Sequence, residues 1–167
     1  QNMYYSAKNL YGKKVNFGGI LEQAVAGRRL IRAIAYVVRT ESKDEQPFFE
    51  ALYNLGIETR EKELKIFNSG MKKADWDVGL AVDAIRLGPS LDAVVIVSGD
   101  GDYLPLVEYL QSNGKQVEVI AFSETAAREI MDGVDDFIDM SADKKTFLIY
   151  DKPGHVPSNR RKATVKK

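Results

Sequence analysis

The stretch that decides the fold of this chain is residues 94–103, which read VVIVSGDGDY. Its apolar run does not alternate with polar residues, so it predicts a strand that is buried on both faces of a sheet. The glycines allow the backbone to turn sharply after the strand. Ligands of open α/β sheets bind beyond the carboxyl ends of the strands. Asp100 and Asp102 therefore predict a site for Mg²⁺ or Mn²⁺, because these ions prefer oxygen ligands.

Apolar runs alternate with segments of helical spacing along the rest of the chain. The predicted strands are residues 30–38, 57–67, 93–97, 117–122 and 137–140, with residues 146–150 as a weaker candidate. The predicted helices are residues 4–12, 17–25, 47–55, 104–112 and 124–131, and one that leads from Trp76 to about Gly88. Strands that alternate with helices indicate βαβ units and a mainly parallel sheet.

Composition excludes several classes of protein. The chain has no cysteine, which excludes disulfides and thiolate metal sites. Its single histidine, His155, lies in a Pro/Gly-rich segment and argues against a histidine-based zinc centre. No apolar run reaches the roughly 18–20 residues of a membrane-spanning helix, so we expect no membrane contact. The absence of cysteine suits a reducing compartment, and we expect a cytoplasmic protein.

The net charge of zero conceals two oppositely charged parts. Residues 152–167 contain six basic and no acidic side chains, which leaves residues 1–151 with a formal charge of −6. We expect one domain over residues 1–150, followed by a basic flexible tail over residues 151–167. Such tails often bind the phosphates of nucleic acids. A solvated, disordered terminus is the alternative.

A second acidic cluster lies at residues 75–83, which read DWDVGLAVD. Asp77 falls in the first turn of the predicted helix and is the better candidate for a metal ligand. Asp83 is displaced from it by roughly 120° around the helix axis, so one rigid helix does not aim both carboxylates at one ion. Asp83 is therefore predicted to have a structural role, such as an ion pair with Arg86.

Several candidate residues also have a structural interpretation. One or both of Asp100 and Asp102 are candidate helix caps, and Asp102 lies just before Leu104 and Pro105. Ser98 either hydrogen-bonds a ligand or ends the strand. Lys72 and Lys73 either attract a phosphodiester or are solvated loop charges.

Three blocks of sequence resemble the NYN domain family, in its LabA-like branch. They are residues 2–5 (NMYY), 73–83 (KADWDVGLAVD) and 97–106 (VSGDGDYLPL), and residues 114–119 (GKQVEV) are similar as well. The similarity runs from residue 1 to about residue 140. It implies a member of the PIN-like nuclease superfamily, with a Rossmann-like three-layer sandwich around a mainly parallel central sheet.

The resemblance implies a metal-dependent ribonuclease that hydrolyses RNA with Mg²⁺ or Mn²⁺. Asp77, Asp100 and Asp102 match the catalytic acids that bind the metal. Asn2 matches the polar residue beside these acids, and we expect Asn2, Ser98, Lys72 and Lys73 to contact RNA. A catalytically weak or inactive RNA-binding or regulatory module is the alternative, and a homodimer remains open.

The family has a first apolar strand that ends in an aspartate a few residues ahead of the asparagine matched by Asn2. This sequence starts at Gln1, so that strand and its aspartate are not in it. We expect a longer native chain, because neighbouring strands would lose their ladders and core without it, and we expect residues 1–167 to be impaired in catalysis. Alternatively, residues 146–151 (TFLIYD) fill the vacant place.

Overall fold

The structure is a computed structural model that describes residues 2–39, 46–63, 65–66, 72–73 and 76–150. The helices are α1 (Asn2–Tyr11), α2 (Phe17–Val25), α3 (Gln46–Asn54), α4 (Asp77–Leu87), α5 (Leu104–Ser112), α6 (Arg128–Gly133) and α7 (Lys144–Phe147). The strands are β1 (Lys14–Val15), β2 (Ile34–Arg39), β3 (Glu58–Glu63), β4 (Lys65–Ile66), β5 (Lys72–Lys73), β6 (Ala93–Ile96), β7 (Gln116–Ala121), β8 (Asp136–Asp139) and β9 (Leu148–Ile149). Single 3₁₀ turns lie at Gly88–Ser90 and Gly101–Tyr103.

The parallel strands form two separate ladders. β2 and β3 pair in parallel, with Ile34 opposite Glu58 and Arg39 opposite Glu63. The second ladder has the parallel order β6-β7-β8. The α/β fold with mainly parallel pairing is as predicted. Within the described ranges, however, no hydrogen-bonded ladder joins β2 to β6, so the sheet is in two parts.

The prediction that residues 146–151 fill the place of a central strand is wrong. Residues up to Phe147 form α7, because the Asp143 side chain accepts a hydrogen bond from the Thr146 N–H group and caps this short helix. The strand β9 that follows pairs antiparallel with β1, away from the parallel ladders. Only these two residues remain for a strand before the described range ends at residue 150.

The core is centred on β7, which lies between β6 and β8. Val117, Val119, Ile120 and Ala121 have no exposed surface. The burial of β6 differs from the prediction of a strand buried on both faces. Ile96 is buried, whereas Val94 and Val95 are only half-buried. The reason is topological: β6 has a ladder neighbour on one side only among the described strands.

One charged side chain lies within this core. Glu118 of β7 is 5% exposed, and its two carboxylate oxygens accept hydrogen bonds from Arg28 Nη1 and Nη2 at 2.7 and 2.8 Å. Gln116 Nε2 donates a further bond at 2.8 Å. The fork-to-fork pairing satisfies the buried carboxylate, as such groups require.

None of the helices in the described ranges is long and apolar enough to cross a lipid bilayer.

Candidate functional site

The turn that follows β6 is packed tightly against the turn that follows β7. The Ala127 N–H group donates a hydrogen bond to the Gly99 carbonyl at 2.8 Å. A Cβ atom on Gly99 would lie 2.8 Å from the Ala126 Cα atom, so only glycine allows this approach. The carboxyl ends of two neighbouring parallel strands thus form one rigid platform, at the edge where α/β proteins bind ligands.

Asp100 shapes the turn on this platform. Its Oδ1 atom accepts a hydrogen bond from the Asp102 N–H group at 3.0 Å and so caps the 3₁₀ turn Gly101–Tyr103. The Asp100 N–H group donates to the hydroxyl of Ser98, which is buried, at 3.3 Å. Of the two candidate caps, Asp100 therefore has this role, whereas Asp102 does not cap α5, since Tyr103 precedes that helix without a side-chain cap.

The start of α4 brings Asp77 to the platform formed by the turns after β6 and β7. Trp76 precedes the helix, and its indole N–H group donates to the Val37 carbonyl of β2 at 2.9 Å. The ring also packs on Gly79, where a Cβ atom would lie 2.6 Å from Trp76 Cε3. The tryptophan therefore fixes where α4 begins, and with it the position of Asp77 in the first turn.

Tyr103 connects the two carboxylates. It is 6% exposed, and its hydroxyl donates a hydrogen bond to Asp77 Oδ1 at 2.9 Å. Burial raises the pKa of the Tyr103 phenol well above its ordinary value, and the hydrogen bond to Asp77 and the charges of Asp77 and Asp100 raise it further. Tyr103 therefore stays a neutral donor, and both carboxylates act on its hydroxyl. No role was predicted for Tyr103 from the sequence, although its place in the GDGDY run was a usable signal.

Asp83 has the structural role predicted for it, but with different partners. Its Oδ2 atom accepts a hydrogen bond from the Tyr36 hydroxyl at 3.0 Å and lies 3.6 Å from Arg60 Nε. The expected pair with Arg86 does not form. Burial, and then the bond to Asp83, raise the pKa of Tyr36 far above its ordinary value. Asp83 thus fastens α4 to β2 and β3.

A second polar cluster, which sequence reasoning missed, lies at the carboxyl ends of β7 and β8. Asp139 Oδ1 accepts backbone N–H bonds from Ser123 at 3.1 Å and Ser141 at 2.8 Å. The Tyr11 hydroxyl donates to Glu124 Oε1 at 2.5 Å, and the Ser141 hydroxyl donates to the same carboxylate. No spacing in the sequence relates Tyr11 to Glu124, which are 113 residues apart.

The predicted site residues are brought together in part. Asp77 and Asp100 flank Tyr103, whereas the Asp102 side chain is exposed beside them. The side chains of Asn2, Lys72 and Lys73 lie outside the described part of the structure. The backbone of Lys72 and Lys73 belongs to β5, which pairs with β4, so the predicted loop is a short hairpin strand.

The carboxylates fit a hard divalent cation that keeps much of its hydration. Within the ranges that the structure describes, no three histidine, aspartate or glutamate side chains come close enough to hold one ion. Mg²⁺ commonly binds through one or two carboxylates, with water and substrate phosphates as its other ligands. Asp77 and Asp100 supply such a donor set, and Asp102 is available for contact through water.

Sequence comparison relates the chain to proteins with the same domain. The family model of the NYN domain matches residues 1–141. The low amplitude and bright protein LabA of Synechococcus elongatus is 29% identical over 125 residues, which cover 71% of this chain and 67% of LabA. An uncharacterised protein of Methanocaldococcus jannaschii is 33% identical over 90 residues, which cover 51% of this chain and 33% of that protein.

Structural comparison gives the same family of folds. A crystal structure of a protein of unknown function from Vibrio parahaemolyticus matches with a TM-score of 0.81 and 30% sequence identity. The match covers 89% of this chain and 91% of the other. Together with the family match over residues 1–141, it agrees with the PIN-like α/β sandwich. The chain therefore belongs to the NYN domain family, in its LabA-like branch.

Proposed function

We propose that this chain is a ribonuclease that hydrolyses RNA phosphodiester bonds with the help of Mg²⁺ or Mn²⁺. NYN domains are generally nucleases of the PIN-like superfamily, which supports an RNA-related nuclease function. The observation that carries the proposal is the hydrogen bond from the Tyr103 hydroxyl to Asp77, which joins the start of α4 to the turn that Asp100 caps at the carboxyl end of β6. This is the edge at which α/β folds place their reaction sites.

Each acidic residue has a separate role in the proposal. Asp77, oriented by Tyr103, and Asp100, oriented by the turn that it caps, hold the ion, and Asp102 contacts it through water. A divalent ion held there would supply Lewis-acid activation of water and would offset the charge of the phosphate. Asn2, Ser98, Lys72 and Lys73, with the basic residues of the tail 151–167, are the proposed contacts to RNA.

The matched pair Asp77→Asn and Asp83→Asn tests the proposal. Both aspartates lie on α4 and each accepts a hydrogen bond from a tyrosine, but only the partner of Asp77 belongs to the turn that Asp100 caps. We expect Asp77→Asn to lower the rate of RNA cleavage in Mn²⁺ by about 100-fold or more. Asp83→Asn should lower stability and retain most of the rate. Equal loss in both variants, or cleavage in EDTA, would contradict the proposal.

A non-catalytic RNA-binding module is the second candidate, and one observation favours it. Asp100 Oδ1 is already engaged by the Asp102 N–H group, and the described residues contain no group of three acids around one point. Such a module would bind RNA in a salt-dependent manner without turnover in Mn²⁺ or Mg²⁺. Small phosphoesters assayed beside RNA separate both candidates from a phosphatase, which would turn over only the small substrates.

A further inference from the structure

We propose that four lysines form a binding surface for the backbone of single-stranded RNA, beside the acidic site. The surface consists of Lys13, Lys14, Lys144 and Lys145 and is called the lysine surface below. The choice of RNA as the ligand rests on the proposed ribonuclease function, whereas the contacts that form the surface involve neither Asp77 nor Asp100.

A small antiparallel ladder carries Lys14, and Lys13 directly precedes its first strand. Val15 of β1 pairs with Leu148 of β9, and both side chains are buried. Lys14 pairs with Ile149, and both of these are exposed. One face of the ladder therefore packs on the core, and the opposite face carries Lys14 into solvent. Side chains alternate between the faces of a strand, which fixes this direction.

Asn16 holds the second pair of lysines next to the first. Its N–H group donates to the Phe147 carbonyl at 2.8 Å, and its side-chain Nδ2 donates to the Thr146 carbonyl at 2.8 Å. These two bonds fasten α7, which begins with Lys144 and Lys145, to the end of β1. The two segments of backbone that carry the lysines are thus held together before any ligand binds.

Two of the lysines lie over aromatic rings, and Lys145 lies close enough to the Asp143 carboxylate for its charge to help lower the pKa of that group. Lys144 Nζ lies 4.4 Å from the centre of the Tyr11 ring, and Lys13 Nζ lies 5.3 Å from that of Tyr150. None of the four forms an ion pair with a described carboxylate, whereas Arg28, Arg32, Arg39, Arg60 and Arg128 each do. Nearby carboxylates are already engaged: Asp143 by Thr146, and Glu124 by Tyr11 and Ser141.

This combination fits a single nucleic acid strand. Cations that form no ion pair attract phosphates, and exposed aromatic rings stack on bases without regard to sequence. Tyr150 is 50% exposed and offers such a ring. In the sequence, six more basic residues follow between Lys152 and Lys167.

The lysine surface is linked to the acidic site by one turn. Tyr11, below Lys144, is bonded to Glu124, which lies in the turn after β7. The same turn supplies Ala127, whose N–H group binds the Gly99 carbonyl next to Asp100. A strand of RNA bound to the lysines would cross this turn to reach the carboxylates.

The test measures binding of a fluorescent 12-nucleotide oligouridylate in EDTA at several salt concentrations. The variant Lys14→Gln/Lys145→Gln removes two charges that no aromatic contact uses. We expect its affinity to fall roughly tenfold, and the slope of log affinity against log salt to fall by about 0.7 per lysine. Tyr150→Leu should weaken binding about fivefold or more, whereas Tyr150→Phe should bind like the unaltered chain because it keeps the aromatic ring.

The matched control is Arg29→Gln/Arg86→Gln, which removes two exposed charges after α2 and in the last turn of α4. It should leave both affinity and slope nearly unchanged. An equal loss in the control, or an unchanged slope in the lysine variant, would overturn the inference. Equal affinity for an RNA duplex of the same length would overturn the assignment to single strands.

Cleavage by the unaltered chain in Mn²⁺ is measured separately, so that the two proposals fail in different ways. If binding depends on the lysines and no cleavage occurs, the ribonuclease proposal fails and the lysine surface stands. If cleavage occurs and the lysine substitutions do not change RNA affinity, only the proposal of the lysine surface fails.

Discussion

Two aspartates on α4 have different roles, one in the candidate site and one in holding the helix to the sheet. Asp77 accepts a hydrogen bond from Tyr103 at 2.9 Å, and Asp83 accepts one from Tyr36 at 3.0 Å. The angular separation of the two aspartates, visible in the sequence, predicted different roles. The tyrosine partners were not predictable, because each lies more than 25 residues from its aspartate. The first bond orients a carboxylate toward the site, and the second ties the helix to the sheet.

At the scale of single residues, Tyr103→Phe should weaken Mn²⁺ binding. Loss of the hydroxyl frees the Asp77 carboxylate to rotate, and loss of such an outer partner typically costs about tenfold in metal affinity. Calorimetric titration with Mn²⁺ measures the affinity directly. Tyr36→Phe is the matched control, because it removes an equivalent bond from Asp83 and should leave Mn²⁺ affinity unchanged. Both variants should lose about 1 kcal/mol of unfolding free energy.

At the scale of elements, local signals fixed some bounds and tertiary contacts fixed others. The predicted helices at residues 17–25 and 104–112 have those same bounds in the structure. Both are set by local signals, such as the capping side chain of Asn16 and the Asn113-Gly114 stop. The predicted helix at 124–131 begins only at Arg128, because the N–H groups of residues 125–127 bond to the Phe122 and Gly99 carbonyls instead.

The contact between α2 and α7 predicts an unusual effect of a helical glycine. A Cβ atom on Gly19 would lie 2.2 Å from the Thr146 carbonyl oxygen, so α7 would have to move. We therefore expect Gly19→Ala to destabilise the protein by about 1–3 kcal/mol. At an ordinary helix interior the same change stabilises by about 0.5–1 kcal/mol. Urea denaturation distinguishes the two signs, and a gain in stability would contradict the packing described here.

The polar cluster at the end of β8 predicts a pH dependence. Burial alone would raise the pKa of Asp139, but the bonds from Ser141 and Ser123 outweigh it and lower the pKa below the ordinary 3.8. A carboxylate with a lowered pKa in the folded state stabilises fully above about pH 5. That stability is lost as the pH falls through the folded-state pKa.

Asp139→Asn tests this dependence by thermal unfolding between pH 3 and pH 7. The variant should be about 1 kcal/mol less stable at pH 7, and the difference should close as the pH falls below about 4. A stability difference that does not change with pH would show that the charge of Asp139 contributes nothing.

At the scale of the whole molecule, the spacing of apolar residues and the alternation of strands with helices along the chain were sufficient to predict an α/β fold with parallel pairing. The two-part sheet was not predictable in the same way, because hydrogen bonding between distant strands leaves no local pattern. Among the described strands, no ladder joins β2 to β6. The further strand expected from the family resemblance stays a prediction.

The acidic site was predictable in its members but not in its geometry. Asp77 and Asp100 follow from their places at a helix start and a strand end. That Asp100 also caps the turn carrying Asp102 depends on a backbone conformation that the glycines permit but do not dictate. The lysine surface was not predicted, because its two halves lie about 130 residues apart in the sequence and meet through the β1–β9 ladder and Asn16.

Cleavage of labelled single-stranded RNA in Mn²⁺ by the unaltered chain and by Asp100→Asn tests the central claim most directly. Asp92→Asn, at the other end of β6, is the control. The account predicts cleavage that EDTA abolishes, a loss of about 100-fold or more in Asp100→Asn, and a normal rate in Asp92→Asn. Equal cleavage by Asp100→Asn and the unaltered chain would contradict it.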